Sequence, residues 1–125
     1  MQLVLYGLLL VFLLVWFLRT EGFTSSPGSL VEDIKNKKVL VLFYNKDCGH
    51  CKTLKPEWDK AEAVMGDKMV AMDVTDSSNE EVKTITTKYK INSYPTMLVL
   101  DNGNHTETYE GERTKDALVS YVQSM

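Results

Sequence analysis

One long apolar stretch opens the chain, and short apolar runs separated by polar turns fill the rest of it. Met1–Leu18 carries no charged side chain. As a helix rising about 1.5 Å per residue it extends roughly 27 Å, close to the about 30 Å of a bilayer core. Val39–Tyr44 (Val-Leu-Val-Leu-Phe-Tyr) is continuous, apolar and partly β-branched, the pattern of a strand buried on both faces. Leu54, Trp58, Ala61 and Met65 then recur at helical spacing and predict a helix over Cys48–Val64, kinked near Pro56, which removes one backbone donor. Met69–Val74 is a second apolar strand, and Leu30–Asn36 a short helix. Ser78-Asn79-Glu80-Glu81 has the form of a capping box opening a helix with Val82, Ile85 and Tyr89 on one face. Thr96–Leu100 and His105–Tyr109 are strands joined through Asp101–Asn104, where Asn102-Gly103 is a strong hairpin signal. Lys115–Ser124 closes the chain as a helix with Leu118, Tyr121 and Val122 inward.

Strands alternating with helices, followed by an antiparallel hairpin, predict an α/β fold: a mixed central sheet of about four strands with helices on both faces. Residues 1–19 are expected to be a transmembrane signal-anchor, with Trp16 and Arg19 at the interface; a cleaved signal peptide is the alternative. Residues 20–28 form a linker, and residues 29–125 suit one small domain. Net charge is −3, with no basic stripe and no Gly-rich phosphate loop, so nothing supports nucleic-acid or nucleotide binding. Met65, Met69, Met72 and Met97 fall on apolar positions and are expected in the core.

Chemistry concentrates at Cys48-Gly49-His50-Cys51, which holds the only two cysteines. Between a strand and the first turn of a helix, this spacing marks a redox pair. Unpaired N–H groups at a helix N-terminus favour a thiolate, and the thiolate is the nucleophile. Cys48, nearest the strand end, is expected to be exposed and attacking; Cys51, one turn further in, is expected to be buried and resolving. His50 can add positive charge or a hydrogen bond. A structural zinc site normally needs four ligands. Only His50 and His105 could join the cysteines, and no metal or organic cofactor is expected.

Tyr44 through Cys51, with Lys52 and Pro56, resembles the thioredoxin superfamily, and Cys-Gly-His-Cys resembles the active site of protein disulfide isomerase domains. Ile91-Asn92-Ser93-Tyr94-Pro95-Thr96 and Tyr109-Glu110-Gly111 extend the likeness over about residues 29–125. The resemblance implies a thioredoxin fold and a cis Tyr94–Pro95 bond facing the cysteines. It also implies a substrate segment held along Ser93, Tyr94 and Pro95. The family's usual first strand has no convincing counterpart here.

Departures matter too. Asp47 stands where Trp is usual and Lys46 where Pro is common. Asp47 can be an N-cap, an opponent of the Cys48 thiolate, or a proton-transfer group. The usual buried acid and its lysine partner correspond to Leu42 and Ala71, both apolar.

The expected activity is thiol–disulfide oxidoreductase: forming, reducing or isomerising disulfides in cysteine-containing protein substrates, with a thiol oxidase or reductase recycling the pair. A tethered binding module or chaperone is the alternative, and a thiol-based metal carrier a third. Asn104-His105-Thr106 is a glycosylation sequon, which with the active-site chemistry favours the endoplasmic reticulum lumen or another oxidising compartment. Arg19, Lys35, Lys37 and Lys38 follow the apolar segment and argue for a cytosol-facing domain, as at a virion membrane.

Overall fold

The computed structural model describes residues 2–18, 30, 32 and 34–125. Arg19 and the linker 20–28 lie outside the described residues. Helix α1 covers Gln2–Leu18, and every described side chain along it is exposed. The helix expected from the opening apolar run is therefore present, but the expected span is not supported. At 17 residues α1 rises about 26 Å, short of a typical hydrocarbon core. Among the described residues no helix is long and apolar enough to cross a membrane.

The domain follows as β1 (Lys38–Tyr44), α2 (Gly49–Met65), a 3-10 turn (Gly66–Lys68), β2 (Met69–Asp73), α3 (Glu80–Lys88), β3 (Thr96–Asp101), β4 (Asn104–Thr108) and α4 (Lys115–Ser124). Leu30, Glu32 and Ile34 have helical backbone, as expected for the segment before β1. The sheet order is β2-β1-β3-β4, with β1 parallel to β2 and antiparallel to β3, and β3 antiparallel to β4. The mixed four-stranded sheet anticipated from the pattern is the one observed.

From Val39 to Phe43 strand β1 is apolar and buried because both of its faces are covered. Val39, Val41 and Phe43 join Leu30, Ile34, Val82 and Ile85 in one cluster. Leu40 and Leu42 point the other way, into a cluster with Leu54, Trp58 and Ala61 of α2 and Leu118 and Val122 of α4. Met69, Met72 and Met97 are buried and Met65 is partly so, as expected.

Local chemistry sets the boundaries. The cap of α3 is Asn79, whose side chain accepts from the N–H groups of Glu81 and Val82. Ser78 instead donates its N–H and hydroxyl to Asp76, so the N-cap falls one residue later than expected. The Asn79 N–H donates to the Asp76 carbonyl, not to a Glu side chain as in the expected capping box. At the hairpin, Asn102 and Gly103 have φ of 50° and 80°. Two successive positive φ values are what a tight primed turn requires, and the Asn-Gly pair supplies them at low cost. Strand β4 starts at Asn104, one residue before the expected start, and stops at Thr108; His105 therefore lies in a strand. Tyr109 leaves the strand and is buried. A Cβ at Gly111 would come within 2.8 Å of the Tyr109 hydroxyl, so the Tyr-x-Gly spacing keeps that ring in place.

Trp58 is 0% exposed at the centre of the α2 interface. Trp58→Ala should cost about 3–5 kcal/mol, read as a lower denaturation midpoint when unfolding is followed by circular dichroism.

Candidate active site

The site lies where β1 ends. The buried strand fixes Tyr44, and a turn of Asn45, Lys46 and Asp47 delivers Cys48 to the mouth of α2. The Cys48 N–H donates to the Asn45 carbonyl at 3.1 Å. Cys48 itself is the N-cap of α2, with extended backbone (φ −81°, ψ 124°). Its sulfur accepts from the Cys51 N–H at 3.3 Å, so a cysteine does what Ser, Thr, Asp or Asn usually does there. This corrects the N-cap reading of Asp47. That residue is exposed, and its N–H donates to the Asn45 side chain at 2.9 Å.

Both cysteines are free thiols. Cys48 is half-buried, while Cys51 is 3% exposed, the outer and inner arrangement expected from their order on the helix. The Cys48 thiol also reaches the Tyr94 carbonyl at 3.4 Å, and the Tyr94–Pro95 peptide bond is cis. Tyr94 comes from the loop before β3, so the fold joins residues 46 positions apart in one site. Ser93 lies in the same loop, with its carbonyl accepting from the Thr96 hydroxyl at 2.7 Å.

The electrostatics split the pair. A hydrogen bond from the Cys51 thiol, then one from the Cys51 N–H, hold the Cys48 thiol below its ordinary range. The main-chain N–H of His50 and the charge of Arg113 act in the same direction, against a smaller penalty from burial. Burial pushes the Cys51 thiol up, and its bond to Cys48 pushes it further. His50 thus acts through its backbone; the ring is exposed. Arg113, between β4 and α4, was not singled out by the sequence pattern. An arginine in a polar loop 62 positions from Cys51 gives no local signal, and only the fold brings its charge near both sulfurs.

Leu42 and Ala71 sit opposite each other in the β1–β2 register. Leu42 is buried and Ala71 packs against the same cluster. Among the described residues the core holds no buried polar or charged side chain, so Cys51 has no internal acid or base beside it. Nor do three or more His, Cys, Asp or Glu side chains among them gather in a way that could hold a metal ion.

The thioredoxin family model matches residues 23–124. A protein named protein disulfide isomerase-like 1-2 from Oryza sativa subsp. japonica is 34% identical over 110 residues, 85% of this chain and 21% of that protein. A protein disulfide-isomerase from Ricinus communis is 35% identical over 92 residues, 71% of this chain and 18% of that one. This chain therefore spans only about a fifth of the length of these curated relatives. The crystal structure of human ERp44 aligns with a TM-score of 0.68 at 25% identity, covering 80% of this chain and 31% of that one.

The lowered Cys48 and raised Cys51 thiols have a direct chemical consequence. Iodoacetamide should modify Cys48 at a pH below the usual thiol range and leave Cys51 unmodified until the pH is well above it. Mass mapping of singly labelled reduced protein across pH checks this. Equal labelling of the two thiols in the folded chain would contradict it, whereas denaturant should make them alike.

Proposed function

The chain belongs to the thioredoxin family, and on that premise we propose that it is a thiol–disulfide oxidoreductase working on cysteine-containing proteins through Cys48 and Cys51. The observation that carries this reading is the Cys48 sulfur, set at a helix N-terminus within 3.3 Å of the Cys51 N–H and 3.4 Å of the Tyr94 carbonyl.

In the reducing direction, the Cys48 thiolate attacks one sulfur of a substrate disulfide. A Cys48–substrate disulfide forms, and the other substrate sulfur leaves as a thiolate and takes up a proton. Cys51 then gives up its proton and attacks the Cys48 sulfur. The Cys48–Cys51 disulfide forms and the second substrate sulfur departs, so the substrate gains two electrons and the pair loses two. Substrate oxidation is the same sequence reversed. A thiol oxidase or reductase restores the pair, and the relative potentials set the net direction. Ser93, Tyr94 and Pro95 hold the substrate backbone, with the Tyr94 carbonyl already beside the attacking sulfur. With an apolar environment around Leu42 and Ala71, the Cys51 proton leaves to water or to the exposed Asp47 carboxylate.

The scarcity of charge behind Cys51 favours one other reading, in which resolution is slow and the domain mainly holds its clients as a tethered binding module or chaperone. The two readings separate on turnover. Cys48→Ser should reduce catalysed disulfide exchange to the uncatalysed rate. Cys51→Ala should accumulate a mixed disulfide with client, visible as a reducible adduct on a gel. Client binding that survives loss of both cysteines, without turnover in the wild type, would select the binding module.

Residues 1–19 attach the domain to a membrane. The support is the exposed, uncharged α1, whose about 26 Å is met by a bilayer that thins slightly or by an internal membrane of about 27 Å. The domain faces an oxidising lumen such as that of the endoplasmic reticulum. Asn104 is exposed at the end of the sheet away from Cys48, about 20 Å along β1, and a glycan there leaves the cysteines accessible. Carbonate-washed membranes should retain the full chain and release a variant lacking residues 2–18. A glycosidase-sensitive mass shift lost in Asn104→Gln would mark the domain as lumenal; a full chain washed off with the soluble fraction would refute the attachment.

A further inference from the structure

The turn that presents Cys48 is tied to the end of β2 by a closed set of polar contacts. The Lys46 N–H donates to the Thr75 hydroxyl oxygen at 2.8 Å. That hydroxyl donates in turn to Asp73 Oδ1 at 2.5 Å, and the Thr75 N–H reaches the same oxygen at 2.9 Å. The Lys46 ammonium closes the set on Asp73 Oδ2 at 3.1 Å. Lys46 is therefore gripped by both its main chain and its side chain, through two residues of a different segment. Asp73 ends β2 directly opposite Tyr44, the last residue of β1.

We propose that Asp73 and Thr75 are positioning residues: they hold Lys46, and through it the turn that places the Cys48 sulfur at the helix mouth. The inference rests on the thiol–disulfide reading above and adds the parts that set its geometry. Residues 45–48 contribute little burial of their own, since Lys46 and Asp47 are exposed. Their conformation must come from hydrogen bonds. Two lie inside the turn: Cys48 N–H to the Asn45 carbonyl and Asp47 N–H to the Asn45 side chain. The contacts to Thr75 and Asp73 tie that turn to the sheet. A displacement of the turn by about an ångström stretches the 3.3 Å bond from the Cys51 N–H to the Cys48 sulfur beyond useful length.

The ion pair also fixes the charge of both partners. The Asp73 carboxyl feels a burial penalty first, but the Thr75 hydroxyl and N–H and the Lys46 ammonium outweigh it and hold the carboxyl below its ordinary range. The Asp73 carboxylate raises Lys46 correspondingly. Both partners therefore stay charged across the neutral range.

The test uses the full chain in detergent and two readouts: the Cys48 thiolate titration by ultraviolet absorbance, and the equilibrium constant of the cysteine pair against glutathione. Thr75→Val keeps the shape and removes the hydroxyl. It should move the Cys48 titration upward and make the couple less oxidising, by about two- to tenfold in the equilibrium constant, the size of one net hydrogen bond. Thr75→Ser should return both within about twofold of wild type. Lys46→Met combined with Asp73→Asn, which removes the pair without leaving a free charge, should shift both readouts in the same direction as Thr75→Val. Where Thr75→Val does not fold, Thr75→Ala takes its place. A folded Thr75→Val or Thr75→Ala variant with both constants within about twofold of wild type overturns the inference. A wild-type chain that titrates normally yet exchanges no disulfide overturns the oxidoreductase reading instead, and the positioning role then stands or falls on the titration alone.

Discussion

One weak contact organises the site: the hydrogen bond from the Cys51 N–H to the Cys48 sulfur. A helix starts with backbone donors that have no partner, and the chain must supply an acceptor or leave them to water. Here the acceptor is the Cys48 sulfur, the nucleophile of the proposed reaction. The need of α2 for a cap and the need of Cys48 for a stabilised negative charge are met by the same bond, so anything that fixes the start of α2 also tunes the thiol. The price is that sulfur caps less well than a side-chain oxygen, so the helix relies on tertiary support. That support comes from Leu54, Trp58 and Ala61, which are buried against the sheet within three turns.

The sheet does the positioning. Strand β1 is buried on both faces and paired on both edges, which leaves Tyr44 little freedom, and the turn to Cys48 is three residues long. On one edge β2 supplies Asp73 and the segment after it Thr75; on the other, β3 is preceded by the loop that carries Tyr94 and the cis proline. The cysteine pair is thus held from both neighbours of the central strand. The far end of the same strand is closed by the hairpin, where Asn102 accepts from the Asn36 N–H and donates its own N–H to the Lys37 carbonyl.

Charge around the sulfurs is arranged from the surface rather than from within. Leu42 and Ala71 make the region of the sheet behind α2 apolar, and this stabilises the core without the desolvation cost of a buried ion pair. Cys51 is consequently shifted upward by burial, with only Arg113 and the Asn45 backbone working against it. Under the proposed thiol–disulfide reading, such a pair favours attack by Cys48 over the step that deprotonates Cys51.

Much of this was legible in the residue pattern. The apolar run of β1, the helical spacing of Leu54, Trp58 and Ala61, and the Asn-Gly turn each report a local preference that the tertiary structure also favours. The four-stranded mixed sheet and the outer and inner roles of the cysteines follow from those preferences and their order. What the pattern misplaced were choices between neighbouring groups of similar chemistry. Asp47 and Cys48 compete to cap α2, and Ser78 and Asn79 to cap α3; only the path of the backbone decides which acceptor meets the free N–H groups. At α1 the described helix, Gln2–Leu18, is shorter than the span expected from the apolar run. Arg113, Thr75 and Asp73 were invisible as partners of the site, because electrostatic and hydrogen-bonding proximity across 27 to 65 positions leaves no trace in spacing. Sequence alone determined which elements form and where the two cysteines fall among them. The tertiary structure decided which charges and donors surround those atoms, because contacts between distant segments arise only when the sheet brings its strand ends together.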